Sequence, residues 1–240
     1  MSYSISIMMP ALNEEKNLRS AVNDVFEANK GFNYDISLLI VNDGSTDSTL
    51  EIANELAESN KNITVYNNKY TRGLGTAFMI GVILCKGDYY CYVPADGQVP
   101  KEFLISLFKK VGEADLILSY FEDMALRHRH RQMLSRLYTR IYNFLFRTNI
   151  KYFNGPALFR LPLLKEIDIP TRFYSFHAET VIRFIKHGYS YIEVPCKPHE
   201  RQHGKSTALK WYNFAGVAMG TLFLFADIYI FRRVRLNVKR

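Results

Sequence analysis

The sequence predicts an α/β protein built on a mostly parallel sheet with helices on both faces. Three observations carry that prediction. Short apolar runs of strand length alternate with stretches of helical periodicity through residues 4–93. The runs are apolar enough to be strands buried on both sides, the pattern of a parallel sheet. Polar turn residues punctuate the junctions, as at Asn42-Asp43-Gly44.

Residues 4–9 form the first apolar run and stop at Pro10. Residues 14–28 have helical spacing, with Leu18, Val22, Val25 and Phe26 on one side. Residues 35–41 read as a second buried strand, 47–58 as a helix, 62–66 as a third strand, 75–85 as a helix and 88–93 as a fourth strand. Pro100 suits the first turn of a helix over 101–110. Right-handed crossovers put every strand-to-helix loop on one edge, which would collect residues 11–14, 43–47 and 96–98. Residues 114–119 read as a strand, 126–147 as a long basic amphipathic helical region and 154–160 as loop then strand. A helix over 177–187 and a strand over 189–194 follow, then a polar loop over 201–207. Residues 211–231 are almost wholly apolar, with Asp227 their one charge. No internal repeat or low-complexity linker is visible, so the expected units are residues 1–206 and a C-terminal segment, 207–240.

The chain has 240 residues, 48% of them hydrophobic and 14% aromatic, which supports a substantial core and excludes a disordered protein. Cys85, Cys91 and Cys196 are odd in number and lack metal-ligand spacing, so reduced thiols are expected, the first two in the core. The amino terminus carries no basic-then-apolar leader pattern. The net charge of +8 is local, concentrated in residues 127–147 and 232–240. Nucleic acid can answer such charge. So can an anionic membrane surface, because both basic stretches adjoin aromatic and aliphatic residues. The histidines do not read as a zinc site: His128 and His130 are two apart and do not share a helix face, while His199 and His203 flank Arg201.

The chemistry-bearing segments follow the strands. Asp96-Gly97-Gln98 comes after a buried run, where a carboxylate and an amide can hold a divalent cation and, through it, a diphosphate. In Pro10-Ala11-Leu12-Asn13-Glu14, Asn13 reads as a helix cap and Glu14 and Glu15 suit the positive end of the helix dipole. In Asn42-Asp43-Gly44-Ser45-Thr46-Asp47, Asp43 can accept bonds from a nucleobase or ribose, Gly44 permits a tight turn, and the last three residues can cap the next helix. Arg72-Gly73-Leu74-Gly75 puts two glycines before a helix, which suits phosphate approach or close packing. The dinucleotide fingerprint and the phosphate-loop lysine pattern are both absent.

In order and spacing, these motifs resemble family 2 glycosyltransferases over residues 5–206, most closely the dolichyl- or polyprenyl-phosphate mannose and glucose synthases. The resemblance implies a GT-A fold, a nucleotide-sugar donor, inversion at the anomeric carbon and a hexosyltransferase of glycan biosynthesis. It implies that Pro10, Asn13, Glu14 and Asp43 line the nucleoside pocket, with Gly73 also at the donor, and that Asp96 and Gln98 face metal and diphosphate. Phe159-Arg160 resembles the end of the family's Gly-Phe-Arg element, with Leu158 in place of its glycine. Glu179 matches the acidic residue on the helix that follows. Arg201, Gly204, Lys205 and Ser206 resemble the loop that closes over the diphosphate; Arg131 and Ser135 resemble the pair on the membrane-facing helix that meets the acceptor phosphate. Three departures stand out. Pro94 replaces the first carboxylate of the Asp-x-Asp-x-Gln pattern, Asn154 replaces an aspartate, and Tyr120 replaces an arginine after the fifth strand. With one carboxylate fewer, Mg2+ or Mn2+ is expected to be weakly held or dispensable.

The expected reaction moves a hexose from a GDP-mannose or UDP-glucose type donor to a polyprenyl or dolichyl phosphate. Such an acceptor is already a nucleophile, so the enzyme must align it and stabilise the departing nucleoside diphosphate. Arg160, Arg201 and Lys205 are candidates for the second task. A hydroxyl acceptor would instead need a base, for which Glu179 or Asp96 qualifies. Asp96, Glu179 and Arg201 are thus the catalytic candidates. The alternatives are a family 2 transferase acting on a sugar or lipid-linked saccharide hydroxyl, and a degenerate nucleotide-sugar-binding protein. Residues 211–231 have about the length of a span, but Asp227 and the basic tail oppose a single crossing. Peripheral or re-entrant attachment at the cytoplasmic membrane face is expected, with residues 126–147 beside it; the alternative is a helix packed on the domain or on a second subunit. A homo-oligomer is compatible with the chain, and nucleic acid is not an expected partner.

Overall fold

The computed structural model describes residues 2–122, 129–171, 173–197, 199 and 211–231, without the side chains of 129–131 and 211–214. Among these, seven strands form one sheet: β1 (Ser4–Ala11), β2 (Asp35–Asp43), β3 (Ile63–Asn68), β4 (Tyr89–Tyr92), β5 (Leu116–Phe121), β6 (Ala157–Arg160) and β7 (Tyr191–Cys196). Their order is β3-β2-β1-β4-β6-β5-β7. The helices are α1 (Leu18–Asn29), α2 (Thr49–Ser59), α3 (Leu74–Leu84), α4 (Lys101–Phe108), α5 (Arg129–Phe146), α6 (Leu161–Lys165), α7 (Phe176–Lys186) and α8 (Trp211–Phe225), which runs into a π-helical turn, Ala226–Ile230.

Side chains alternate across the sheet with the strand period of two. Ile5, Ile7, Met9 and Ala11 of β1 enter the core under α1, α2 and α4, while Met8 enters the core under α3, α5, α6 and α7. In the second core Phe78 meets the rings of Tyr90, Phe159 and Phe176 at centroid distances of 5.3, 6.3 and 5.1 Å. Aromatic pairs of this kind add about 0.5–1.5 kcal/mol each beyond the area they bury. The three cysteines are free and buried.

The predicted parallel sheet is present, with one reversal. β1 pairs in parallel with β2 and β4, β2 with β3, and β5 with β7, but β6 is antiparallel to both β4 and β5. The chain leaves β5 at the carboxyl edge and re-enters the sheet at that same edge, so β6 must run the other way. The carboxyl ends of β1 to β5 and the amino end of β6 therefore share one rim. Residues 154–156 and the first turn of α7 join the β1, β2, β3 and β4 loops there.

Strands β5 and β7 lie two residues later than expected, and two helices differ more. Helix α1 begins at Leu18 rather than at residue 14, because the amides of residues 13–15 bond to the neighbouring loop. The short α6 went unrecognised, since five residues are too few to show a period. The C-terminal apolar segment is docked on the domain. Leu224 is buried in the second core, the Tyr142 and Thr221 hydroxyls are 2.7 Å apart, and a Cβ on Gly220 would collide with Ser175. Among the described residues, no helix is long and apolar enough to cross a membrane.

Candidate active site

The first two rim loops are stitched together by side chain to backbone hydrogen bonds. Asn13, in the left-handed region at φ 56°, donates its amide to Ser45 Oγ at 3.0 Å and accepts the Thr46 amide on Oδ1 at 2.8 Å. The Glu14 amide donates to Thr49 Oγ1 at 2.8 Å and the Glu15 amide to Asp47 Oδ2 at 3.3 Å. Asn13 is thus no helix cap: its acceptor is spent across the loops, and Asn17 precedes α1 without a capping side-chain bond. Burial would raise the Asp47 carboxyl, but bonds from the Thr49 hydroxyl and from nearby amides outweigh it and hold the group below the usual carboxylate range.

Asp43 sits at the end of β2, 5% exposed. Its Oδ1 accepts Asn68 Nδ2 and the Arg72 amide at 2.9 Å each, and its Oδ2 accepts the Gly73 amide at 2.8 Å. The carboxylate therefore fixes the β3–α3 loop. The Gly73 amide, which a phosphate could otherwise meet, is donated to Asp43. Gly44 lets this happen: at φ +77° its missing Cβ would lie 2.7 Å from the Thr71 amide nitrogen.

The β4 loop is tied to the same rim by the Ala95 amide, which donates to Pro10 O at 3.3 Å. Asp96 Oδ1 accepts the Gln98 amide at 3.2 Å, and the His199 amide donates to Gln98 O at 3.2 Å. Pro10, Asn13, Glu14, Asp43, Gly73, Asp96 and Gln98 are thus joined through one continuous set of loops. Burial first, and the Asp96 charge next, push the Tyr92 phenol well up. Asp96 and Gln98 offer a cation one carboxylate and one amide oxygen. Among the described residues no group of three acidic, His or Cys side chains converges on a metal position. Such a pair fits Mg2+ or Mn2+ only with diphosphate oxygens and water completing the shell.

On the far side of the rim, His177 of α7 is buried among Phe78, Tyr92, Phe159 and Phe176, with ring centroids 5.8–6.5 Å away. Its Nδ1 is 2.7 Å from Phe153 O and its Nε2 has no hydrogen-bond partner among the described residues, so the ring is neutral with the proton on Nδ1. It thereby fixes the residue before Asn154. Burial, against the pull of the Phe153 carbonyl, pushes the imidazole down from 6.5 to about 4. As pH falls through 6.5 the unfolded chain binds a proton that the folded ring refuses. Stability is therefore lost between pH 6.5 and about 4, and this component levels off below. Urea unfolding across this range should show a His177 contribution of about 3 kcal/mol that His177→Gln lacks. A variant with the wild-type pH slope would remove the assignment.

Glu179 lies one turn inside α7, 2% exposed; Arg183 Nε donates to its Oε1 at 2.8 Å. Arg160 is not at the rim. It ends the reversed β6, opposite Tyr89, with its guanidinium 3.9 Å from Asp88 and over the rings of Tyr3 and Tyr89. The expected diphosphate contact for Arg160 is corrected accordingly: strand reversal carries it to the opposite edge. Arg201, Lys205, Ser206 and the Arg131 side chain lie outside the described residues, and Ser135 is half-buried on α5. Sequence reasoning missed Lys151, whose Nζ stands 4.1 Å over the Tyr120 ring and returns a cation beside the position where an arginine was expected. Only a fold could reveal that pairing.

Comparison with known proteins bears on the fold and the family. The chain is 31% identical over 149 residues to a dolichyl-phosphate beta-glucosyltransferase of Trichomonas vaginalis, covering 56% of this chain and 46% of that protein. It thus spans about half the length of that relative. It is 30% identical over 213 residues to the polyprenol monophosphomannose synthase of Mycolicibacterium smegmatis, covering 83% of this chain and 79% of that protein. In fold it matches glucosyl-3-phosphoglycerate synthase from Mycobacterium tuberculosis in complex with UDP, with a TM-score of 0.71 at 19% identity over 93% of this chain and 80% of that one. Another structure of that enzyme holds Mn2+, UDP-glucose and phosphoglyceric acid and matches with a TM-score of 0.73 at 17% identity, again over 93% of this chain and 80% of that one. The sheet and its flanking helices are therefore a GT-A fold. The family model for glycosyl transferase family 2 matches residues 6–168, and the chain belongs to that family.

Proposed function

We propose that the protein is an inverting hexosyltransferase that moves a sugar from a nucleoside diphosphate donor to a polyprenyl phosphate at a membrane surface. The observation that carries the acceptor class is an exposed apolar face on α5 and α8. Met133, Leu137, Ile141 and Phe144 recur on one side of α5, and Phe144 is 83% exposed; α8 adds Met219, Leu222 and Phe223. Arg136 and Arg140 are exposed on α5 as well, and Arg147 is exposed just past its end. Each large apolar side chain buried in lipid contributes about 1.5–3 kcal/mol, and each basic residue near an anionic surface about 1 kcal/mol. That chemistry supports peripheral attachment, and the supply of nucleotide sugars on the cytoplasmic side favours that face.

In the reaction an oxygen of the lipid phosphate attacks the anomeric carbon as the bond to the nucleoside diphosphate breaks. Pro10, Asn13 and Asp43 hold the loops that would seat the nucleoside. Asp96 and Gln98 would hold a divalent cation, which supplies positive charge to the leaving diphosphate. Arg201, Lys205 and Ser206 enter as diphosphate contacts, and Arg131 and Ser135 as acceptor-phosphate contacts, on the family resemblance. Similarity to a dolichyl-phosphate beta-glucosyltransferase and to a polyprenol monophosphomannose synthase supports the lipid acceptor. A second reading, transfer to a hydroxyl, draws on Glu179, whose buried Oε2 has no hydrogen-bond partner among the described residues and could take a proton.

Radiolabelled UDP-glucose and GDP-mannose offered with polyprenyl phosphate, with and without Mn2+, test the reading. The expected product is a mild-acid-labile labelled lipid. Label appearing only in an acid-stable glycoside would replace the lipid phosphate by a hydroxyl acceptor. Label staying on the donor with every acceptor would leave a nucleotide-sugar-binding protein.

A further inference from the structure

We propose that Asp227 and Arg183 are positioning residues for Glu179, so that the C-terminal helix completes the acceptor side of the site; this rests on Glu179 meeting the acceptor. Arg183 bridges two carboxylates. Its Nε donates to Glu179 Oε1 at 2.8 Å, and its Nη2 donates to Asp227 Oδ2 at 2.7 Å. The side chains are 5% exposed for Arg183, 3% for Glu179 and 18% for Asp227, so the bridge is shielded from water. A guanidinium is a rigid planar fork, and moving the carboxylate on one prong reorients the other.

Three further observations bear on the role of this bridge. The first is that, among the described residues, Glu179 Oε2 is buried without a hydrogen-bond partner. Leaving such an oxygen unsatisfied costs about 1–3 kcal/mol or more, which is tolerated where a ligand supplies the missing donor. Arg183 thus pins one oxygen and leaves the other unsatisfied.

The second is that Asp227 stands in a π-helical turn, where the Phe231 amide reaches back to Ala226 O at 2.8 Å. The wider turn shifts the register of the helix at Asp227, the one acidic residue of its apolar segment; such turns recur at functional sites.

The third is that α8 is already held without charge. Leu224 is buried, Gly220 abuts Ser175 and Thr221 meets Tyr142. An apolar pair would dock the helix end at least as well as a buried ion cluster. Docking alone does not account for Arg183 and Asp227; holding Glu179 does.

The test compares full-length wild type, Asp227→Ala, Asp227→Asn and Arg183→Lys for kcat and for the KM of donor and acceptor. Asp227→Ala should lower kcat roughly tenfold to a hundredfold, the effect of a displaced group at a reacting centre, with donor KM unchanged. Asp227→Asn keeps an oxygen for Nη2 and should recover most of the loss. Should Asp227→Ala fail to fold, Arg183→Lys takes its place: it keeps the charge but cannot bridge both carboxylates, and kcat should fall similarly. Wild-type kcat in the folded variants overturns the proposal, as does a loss shared equally by donor and acceptor parameters. A wild type that charges no lipid phosphate overturns the acceptor reading alone, and the same ratios are then taken with a hydroxyl acceptor.

Discussion

Asp43→Ala is expected to destabilise the protein by roughly 3 kcal/mol and to abolish nucleotide binding. Three donors lose their acceptor: the buried Asn68 side chain and the Arg72 and Gly73 amides. Each donor left buried without a partner costs about 1–3 kcal/mol, and the two loop amides recover part of that from water. The loop they belong to also packs against Gly44, so its release opens the rim between β2 and β3. Asp43→Asn keeps one oxygen and should cost less, with its amide group facing the Gly73 amide. Urea unfolding reads the stability, and the shift in melting temperature with added UDP or GDP reads the binding. Wild-type behaviour in both would show that Asp43 neither holds the loop nor serves the nucleoside.

Asp96→Ala is expected to lower turnover about 10²–10³-fold while leaving the fold intact, the usual consequence of removing one charge-organising group from a transfer site. The fold should survive because backbone bonds hold this loop at both ends, Ala95 to Pro10 and His199 to Gln98. Because Pro94 stands where the family has another carboxylate, no neighbour on this loop can replace Asp96. Steady-state transfer with saturating donor measures the effect, and the urea midpoint checks the fold. Turnover within a fewfold of wild type would move the cation and the diphosphate elsewhere.

Much of this site could be read from the chain because a parallel sheet converts sequence position into place. Once the alternation of strand and helix is seen, the residues after each strand must gather on one edge. Pro10, Asn13, Asp43, Gly73 and Asp96 therefore fall together without knowledge of any contact. The roles of individual side chains were less legible. Asn13 is of a type that caps helices, yet its bonds run to Ser45 and Thr46, 32 and 33 residues on. Asp43 could be read as a ligand contact, and its three bonds go instead to its own protein. Such choices depend on which loop lies next door, which no local pattern encodes.

Arg160 marks the limit most sharply. It resembles the last residue of a family element, but β6 runs antiparallel, so the residue lies at the wrong edge to serve a diphosphate. The direction of a four-residue strand carries no signature in its own residues; it is decided by where the preceding excursion ends. The sequence alone determined the alternating architecture, the rim that collects the polar loops and the apolar character of the C-terminal helix, because each follows from periodicity and turn chemistry. The tertiary structure alone decided the reversal of β6, the burial of His177 and the joining of Glu179, Arg183 and Asp227, because these depend on contacts between segments distant in sequence, such as Tyr89 with Arg160, Phe78 with His177 and Arg183 with Asp227.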